Sequence, residues 1–299
     1  MNRRDFIIKS AFAGTAFSAS LHQGCTASVD DVELAVVKNG SPAEMVRRAV
    51  QELGGMGKFV KKDQSVLVKP NIGWDRLPEQ AANTNPEVVA EVVKMCFEAG
   101  AKRVRVLDRT CNEAKRCYKR SGIEQAAGDA GAEVRFIVDS RFEEVKFDGG
   151  QLLKSWPVYR DALEMDVLIN VPIAKNHDIS RLTLGFKNLM GLLGGDRGQI
   201  HKDFAFKIVD VASVIKPALT IIDACRILLR NGPTGGNLSD VAEAKTIIAG
   251  IDRVATDTRA VALFQIDPAE VEYLSIASQR GLGKIDLTKV NMKEFSLSS

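Results

Sequence analysis

From Val32 onward, short apolar runs alternate with longer stretches whose apolar residues recur at helical spacing. ELAVVK (33–38) reads as a strand. A helix follows over Pro42–Leu53, with Ser41 as N-cap and Pro42 at the first helical position, where its missing N–H costs nothing. SVLVKP (65–70) is a strand stopped by Pro70. Asn85-Pro86 opens a second capped helix, in which Val88, Val89, Val92, Val93, Met95 and Cys96 form a broad apolar face. Gly100 ends it, and KRVRVLD (102–108) alternates as the next strand. A helix near 113–130 and a strand over 133–138 complete a βαβαβ series. Residues 141–160 are less regular and read as a hairpin excursion. Apolar strands follow at 166–172, 217–223 and 245–250, then helices near 256–265 and 268–280. This alternation predicts an α/β fold, a mainly parallel sheet with helices on both faces, forming a single domain over residues 29–299.

Charge adds an exclusion. Lys and Arg number 41 against 38 Asp and Glu. Residues 1–20 carry Arg3, Arg4 and Lys9 against Asp5, which leaves 38 cationic and 37 anionic side chains in the rest. A body so near neutrality argues against a broad nucleic-acid footprint, which needs a basic stripe. A hydrophobic share of 45% with 26% charged residues excludes disorder, collagen and a disulfide scaffold.

Residues 1–28 have the pattern of an address label. Arg3-Arg4, Phe6 and Lys9 lead into a weakly apolar stretch, Phe6–Ser20, shorter than the about 20 apolar residues of a membrane span. The pattern fits a cleavable twin-arginine export signal. It implies a periplasmic or cell-envelope protein that meets the twin-arginine export machinery and has no transmembrane span once mature. An ordinary first amphipathic helix is the alternative, and Cys25 offers a lipid anchor as another. Cys96 and Cys225 sit in or beside apolar runs and read as buried thiols. Cys111 and Cys117 read as loop and helix-start residues, with a disulfide between them as the alternative. Their spacing supports neither an iron–sulfur cluster nor structural zinc.

Open α/β sheets bind ligands beyond the carboxyl ends of their strands. Polar residues stand at four such ends: Lys69 with Asn71, Asp108-Arg109-Thr110, Lys175-Asn176-His177, and Asp223. Residues 170–203 are the richest. His177 and His201 bracket a helical stretch holding Lys187 and Asn188, followed by Gly191, Gly194, Gly195, Arg197 and Gly198. Histidine carries protons near neutral pH and ligates metals. His177, His201 and Lys175 are therefore the candidate catalytic residues. Lys69, Asn71, Lys187, Asn188, Gly194, Gly195 and Arg197 are candidates for ligand or cofactor binding, with the 191–198 loop closing over the ligand. Gly232 and Gly235, in RNGPTGGN (230–237), join them because glycine permits close backbone approach. A metal ion is a possible cofactor, with His177, His201 and Asp223 as its candidate ligands. Asp257 is as suited to a helix dipole as to a ligand.

Five blocks, VLVKPN (66–71), NVPIAKNH (170–177), GFKNLMGLL (185–193), IIDACR with GPTGG (221–236) and GIDRVATDTRAVAL (250–263), resemble the domain-of-unknown-function 362 family over nearly all of the body. Some members of that family carry a ferredoxin-like segment, which these residues lack. The fold it implies is similar at a distance to the catalytic domain of the nickel-pincer lactate racemase family, whose metal site uses lysine and histidine. Lys175, His177, Lys187 and His201 suit such chemistry without a residue-by-residue match. The resemblance and the strand ends together suggest an enzyme with a metal or redox cofactor acting on a small anionic substrate. The alternative is a non-catalytic envelope protein that binds an anionic small molecule.

Overall fold

A computed structural model describes residues 31–298. The segment read as an export signal, with Cys25, lies outside the described residues. Ten strands form one mixed sheet: β1 (Leu34–Lys38), β2 (Ser65–Pro70), β3 (Arg103–Val106), β4 (Glu133–Val134), β7 (Val167–Val171), β8 (Ile173–His177), β9 (Arg181–Thr183), β10 (Leu219–Leu228), β11 (Val241–Gly250) and β12 (Met292–Ser296). The hairpin of β5 (Phe142–Lys146) and β6 (Ser155–Tyr159) stands apart. The main order is β12-β1-β11-β10-β7-β2-β3-β4, with β8 beside β10 and β9 beside β8. β10, β7, β2, β3 and β4 run parallel, which brings their carboxyl ends to one edge.

The sheet is buried on both faces. Along β2, Leu67 enters one apolar core while Val66 and Val68 enter the other. This is why parallel strands read as continuous apolar runs. The helices are α1 (Pro42–Glu52), α2 (Pro86–Glu98), α3 (Ala114–Arg120), α4 (Ile123–Asp129), α5 (Asp161–Glu164), α6 (Gly185–Asn188), α7 (Phe204–Val214), α8 (Arg253–Val261) and α9 (Glu272–Gln279). α1 begins as its residues dictate: Ser41 Oγ accepts from Glu44 N–H, and the Glu44 carboxylate accepts from Ser41 N–H.

Several elements differ from the sequence expectation. β1 joins the far side of the sheet, antiparallel to β11 and parallel to β12, so it does not open a βαβ unit with β2. Gly122, at φ +74°, divides the helix expected at 113–130 into α3 and α4. β10 continues five residues past Asp223, with a bulge between Ala224 and Arg226, so Asp223 lies inside a strand. The stretch between the two histidines is a single helical turn, α6, followed by 3-10 geometry over 189–192.

Candidate active site at the strand carboxyl ends

Beyond the carboxyl ends of β2, β3 and β8 lies a cavity of about 360 Å³, within the size range of small-molecule sites. Its wall contains three buried lysines, Lys69, Lys175 and Lys187. Their surroundings differ in a way that sorts their roles.

Lys69 closes β2. Its Nζ donates to Pro70 O (2.7 Å) and Asn188 Oδ1 (3.0 Å) and pairs with Asp108 Oδ1 at 2.7 Å. Two hydrogen bonds and one ion pair thus surround the ammonium with oxygen. Asp108 is held in turn by Ile72 N–H at 2.7 Å. Burial pulls the Lys69 pKa down, and Asp108 opposes it. Lys175, on β8, is similarly enclosed: Nζ donates to Asn71 Oδ1 (3.1 Å), Ala82 O (2.5 Å) and Pro233 O (3.2 Å). It ties the loop after β2 to the loop after β10. Burial draws its pKa down to about 7, yet partners that only accept hydrogen bonds favour the ammonium form.

Lys187, on α6, has no oxygen partner among the described residues. Its Nζ lies 2.8 Å from His201 Nε2 and 3.2 Å from Met190 Sδ, and sits 5.4 Å from the Phe204 ring centre. Burial, reinforced by the nearby Arg197 charge, brings its pKa down to about 7 although Cys111 opposes the shift.

The imidazole tautomers follow from their neighbours. His177 Nδ1 accepts from the backbone N–H of Ile179 (3.2 Å) and Ser180 (3.4 Å). The ring proton therefore sits on Nε2. Burial and the Lys187 charge hold this ring far below its usual pKa, so it is neutral. His201 Nδ1 lies 3.2 Å from Gly198 O and donates to it, which leaves the Nε2 lone pair facing Lys187. The two rings stack with centres 5.6 Å apart. Burial, then Lys187, lowers the His201 pKa as well.

An amide network fixes this arrangement. Asn188 Oδ1 accepts from Lys69 Nζ and Asn71 Nδ2 (3.1 Å), while its Nδ2 donates to Lys69 O (3.1 Å) and Asn170 Oδ1 (2.9 Å). The side chain thus uses all four of its hydrogen-bonding positions. α6 is anchored from behind by Asp257, whose carboxylate accepts from Gly185 N–H, Phe186 N–H and Tyr273 OH. Burial raises the Asp257 pKa to about 6. Gly191 is required by close approach, because a Cβ there would collide with Asp108 and Lys69.

Of the residues singled out from sequence, the fold brings Lys69, Asn71, Lys175, His177, Lys187, Asn188, Arg197 and His201 to the cavity wall. It does not bring Gly194, Gly195, Gly232, Gly235 or Asp223 there. Gly194 bonds to Pro157 O and Trp156 Nε1, and Gly195 O accepts from Arg109. Gly232 N–H donates to Asn176 Oδ1, and Gly235 O accepts from Arg76. Asp223, inside β10, accepts from Asn85 N–H (2.7 Å) and Cys225 N–H (3.0 Å) and so anchors the start of α2.

Among the described residues no group of three or more His, Cys, Asp or Glu side chains is placed to hold a metal ion. The donor set does not fit a bare divalent cation: the wall is rich in lysine and arginine, and the His201 Nε2 lone pair is directed at Lys187. The 191–198 segment is clamped rather than left free to close. Arg109 donates to Leu193 O and Gly195 O, while Arg197 donates to Arg109 O and Thr110 O.

Trp74, Arg109, Cys111 and Met190 also line the cavity. Arg109 belongs to the polar strand end Asp108-Arg109-Thr110 that the sequence marks. Trp74 and Cys111 lie in aperiodic loops that give no such signal. Cys111 is an exposed free thiol 3.3 Å from Arg197 Nη2, and Cys117 is buried and free.

The fold is that of a single-domain α/β protein with a cavity at the carboxyl ends of its parallel strands. The chain matches the family described as "domain of unknown function (DUF362)" over residues 66–262 and belongs to it. It is 29% identical over 257 residues to the thylakoid-associated protein sll1697 of Synechocystis sp., covering 81% of this chain and 76% of that one. The fold is similar to the lactate racemase apoprotein of Thermoanaerobacterium thermosaccharolyticum, with a TM-score of 0.50, 11% identity, and coverage of 78% of this chain and 57% of that one. A Thermotoga maritima protein of known crystal structure superposes with a TM-score of 0.43 at 14% identity, over 80% of this chain and 58% of that one. The chain thus spans little more than half the length of either solved structure. No helix among the described residues is long and apolar enough to cross a membrane.

Proposed function

We propose that the cavity binds a small organic anion and that the protein is an enzyme performing acid–base chemistry on it. The observation that carries this reading is the Lys187–His201 pair, 2.8 Å apart in a buried wall shared with Lys69, Lys175 and Arg197. A lysine titrating near neutral pH, beside an imidazole with a directed lone pair, can take or return a proton at a bound substrate. The surrounding cations would stabilise negative charge developing on an enolate or similar anion. In this scheme Lys187 and His201 exchange the proton. His177 donates a hydrogen bond from Nε2, and Arg197 orients the anion. Lys69 and Lys175 hold the loops and supply charge. The cationic wall also suits a cofactor that brings its own negative charge and donor atoms, and no step here is routed through one.

Incubating the protein with a panel of small carboxylates in heavy water and following C–H exchange by proton NMR tests the assignment. Exchange lost in His201→Ala and Lys187→Met supports it. Binding without exchange for every carboxylate would leave only the non-catalytic anion-binding reading. Passage through the twin-arginine route to the periplasm or envelope belongs to the same proposal. It is supported by the Arg3-Arg4 pattern and is compatible with a thylakoid-associated relative. Cell fractionation of the chain with Arg3 and Arg4 replaced by lysine tests it, and unchanged distribution would remove it.

A further inference from the structure

Lys187 is set apart from its two buried neighbours by what surrounds its amine. Lys69 and Lys175 each face three oxygen atoms of the protein, so their amines are engaged by the scaffold on every side. Lys187 faces an imidazole nitrogen, a thioether sulfur and an aromatic ring, and no oxygen among the described residues. The imidazole nitrogen is a base with its lone pair directed at the amine, because Nδ1 is occupied by Gly198 O. An amine that is buried, beside other cations and next to a proton acceptor has the surroundings of an imine-forming lysine. The same wall carries the charge that would hold a carboxylate close by.

We infer that Lys187 forms a Schiff base with a carbonyl-bearing carboxylate, a 2-oxo acid or an aldehyde acid, bound in this cavity. The inference rests on the anion-binding reading above and names the substrate class. The ammonium first gives a proton to His201 Nε2. The freed nitrogen pair attacks the carbonyl carbon, forming the C–N bond as the C=O π pair moves onto oxygen. A proton passes from nitrogen to that oxygen, giving a neutral carbinolamine. His201 then returns its proton to the hydroxyl, which leaves as water. The nitrogen pair completes the C=N bond of the iminium. One water is released, and no oxidant or reductant is needed.

The test is reductive trapping of the full chain with glyoxylate and borohydride, followed by peptide mapping. The expected result is a carboxymethyl group on Lys187, formed at least about ten-fold faster than on any exposed lysine, since an unperturbed lysine is almost wholly protonated near neutral pH. Borohydride alone gives no adduct, and His201→Phe slows trapping by a similar factor. Labelling spread over surface lysines without preference for Lys187 would overturn the inference. Mapping the unmutated chain keeps the result readable even if a variant fails to fold. Oxalate, an anion with no aldehyde or ketone carbon, separates the two levels. Oxalate binding by calorimetry without glyoxylate trapping sinks the Schiff base and spares the anion site. Failure of both anions to bind or react overturns the two readings together.

Discussion

Two buried charged sites in this molecule make a useful contrast. At the first, Asp210 on α7 accepts from the backbone N–H groups of Gln151, Leu152 and Leu153, each at 2.9 Å, and from Arg280 at 2.5 Å. It pins the loop between β5 and β6 and the end of α9 onto one helix. One negative charge meets one positive charge, and both carboxylate oxygens are occupied. At the second, the strand-end cavity, Lys69 and Asp108 balance each other while Lys175, Lys187 and Arg197 remain without a carboxylate partner. A balanced buried charge is tied to stability, whereas a surplus of one sign beside an open volume is suited to a ligand of the other sign.

The contrast can be broken most directly at its balanced end. Asp210→Ala leaves Arg280 and three backbone N–H groups without their acceptor, and should lower unfolding stability by about 3–5 kcal/mol in denaturant titration. Burial alone would push the Asp210 pKa up, but the three N–H groups and Arg280 outweigh it and hold the carboxyl below its usual value. Its contribution is therefore present above the unfolded pKa and is lost as pH falls through the folded one. Asp210→Asn should show a correspondingly weaker acid-induced loss.

Next in size is the scaffold of the cavity. Asn188→Leu strands partners at Lys69, Asn71 and Asn170, and should cost on the order of 3 kcal/mol in the same measurement. Smaller still is Lys187→Met. Removing an uncompensated buried cation for an apolar chain of similar length should leave stability within about 1 kcal/mol of the parent, or raise it. Any exchange or trapping activity should vanish. A large loss of stability in this variant would place Lys187 with the structural charges and remove the contrast.

The pH response sharpens the same point. The Lys187 pKa is lowered in the folded chain to about 7 from an ordinary 10.5. Between those values the unfolded chain binds more protons than the folded one, so this lysine's contribution makes stability rise with pH. The stability difference between the unmutated chain and Lys187→Met should therefore shift toward the unmutated chain from pH 7 to about 10. A flat difference would mean that the folded amine titrates where an exposed lysine does.

Much of the sheet was legible because its central strands are apolar on both faces and end in polar residues. That single pattern marks Lys69, Asn71, Lys175 and His177. Lys187, Asn188, Arg197 and His201 were accessible through their clustering around one glycine-rich segment. Asp223 ends the apolar run in the sequence, yet its carboxylate anchors α2 and the strand continues past it through a bulge, which the run itself does not report. The glycines at 194, 195, 232 and 235 have the freedom to approach a ligand, but they meet protein backbone and side chains instead. Strand order was hidden for a different reason. β1 and β12 take partners far away in sequence, and no local periodicity reports such pairings.

That distant pairing has a consequence for how the chain is made. Leu34 lies opposite Gly250, and Val37 opposite Ile247, so β1 finds its antiparallel neighbour only after roughly two hundred further residues have been added. At about 5–20 residues per second, a strand apolar but for Lys38 waits on the order of ten seconds or more on the ribosome before its pairing surface exists. Its parallel neighbour, β12, arrives later again. The central parallel strands can assemble during this interval, and β1 docks after them, onto the edge that β11 completes, ahead of β12. Pulling-force profiles on stalled nascent chains should show this as a late event, beyond the length at which residue 250 leaves the exit tunnel.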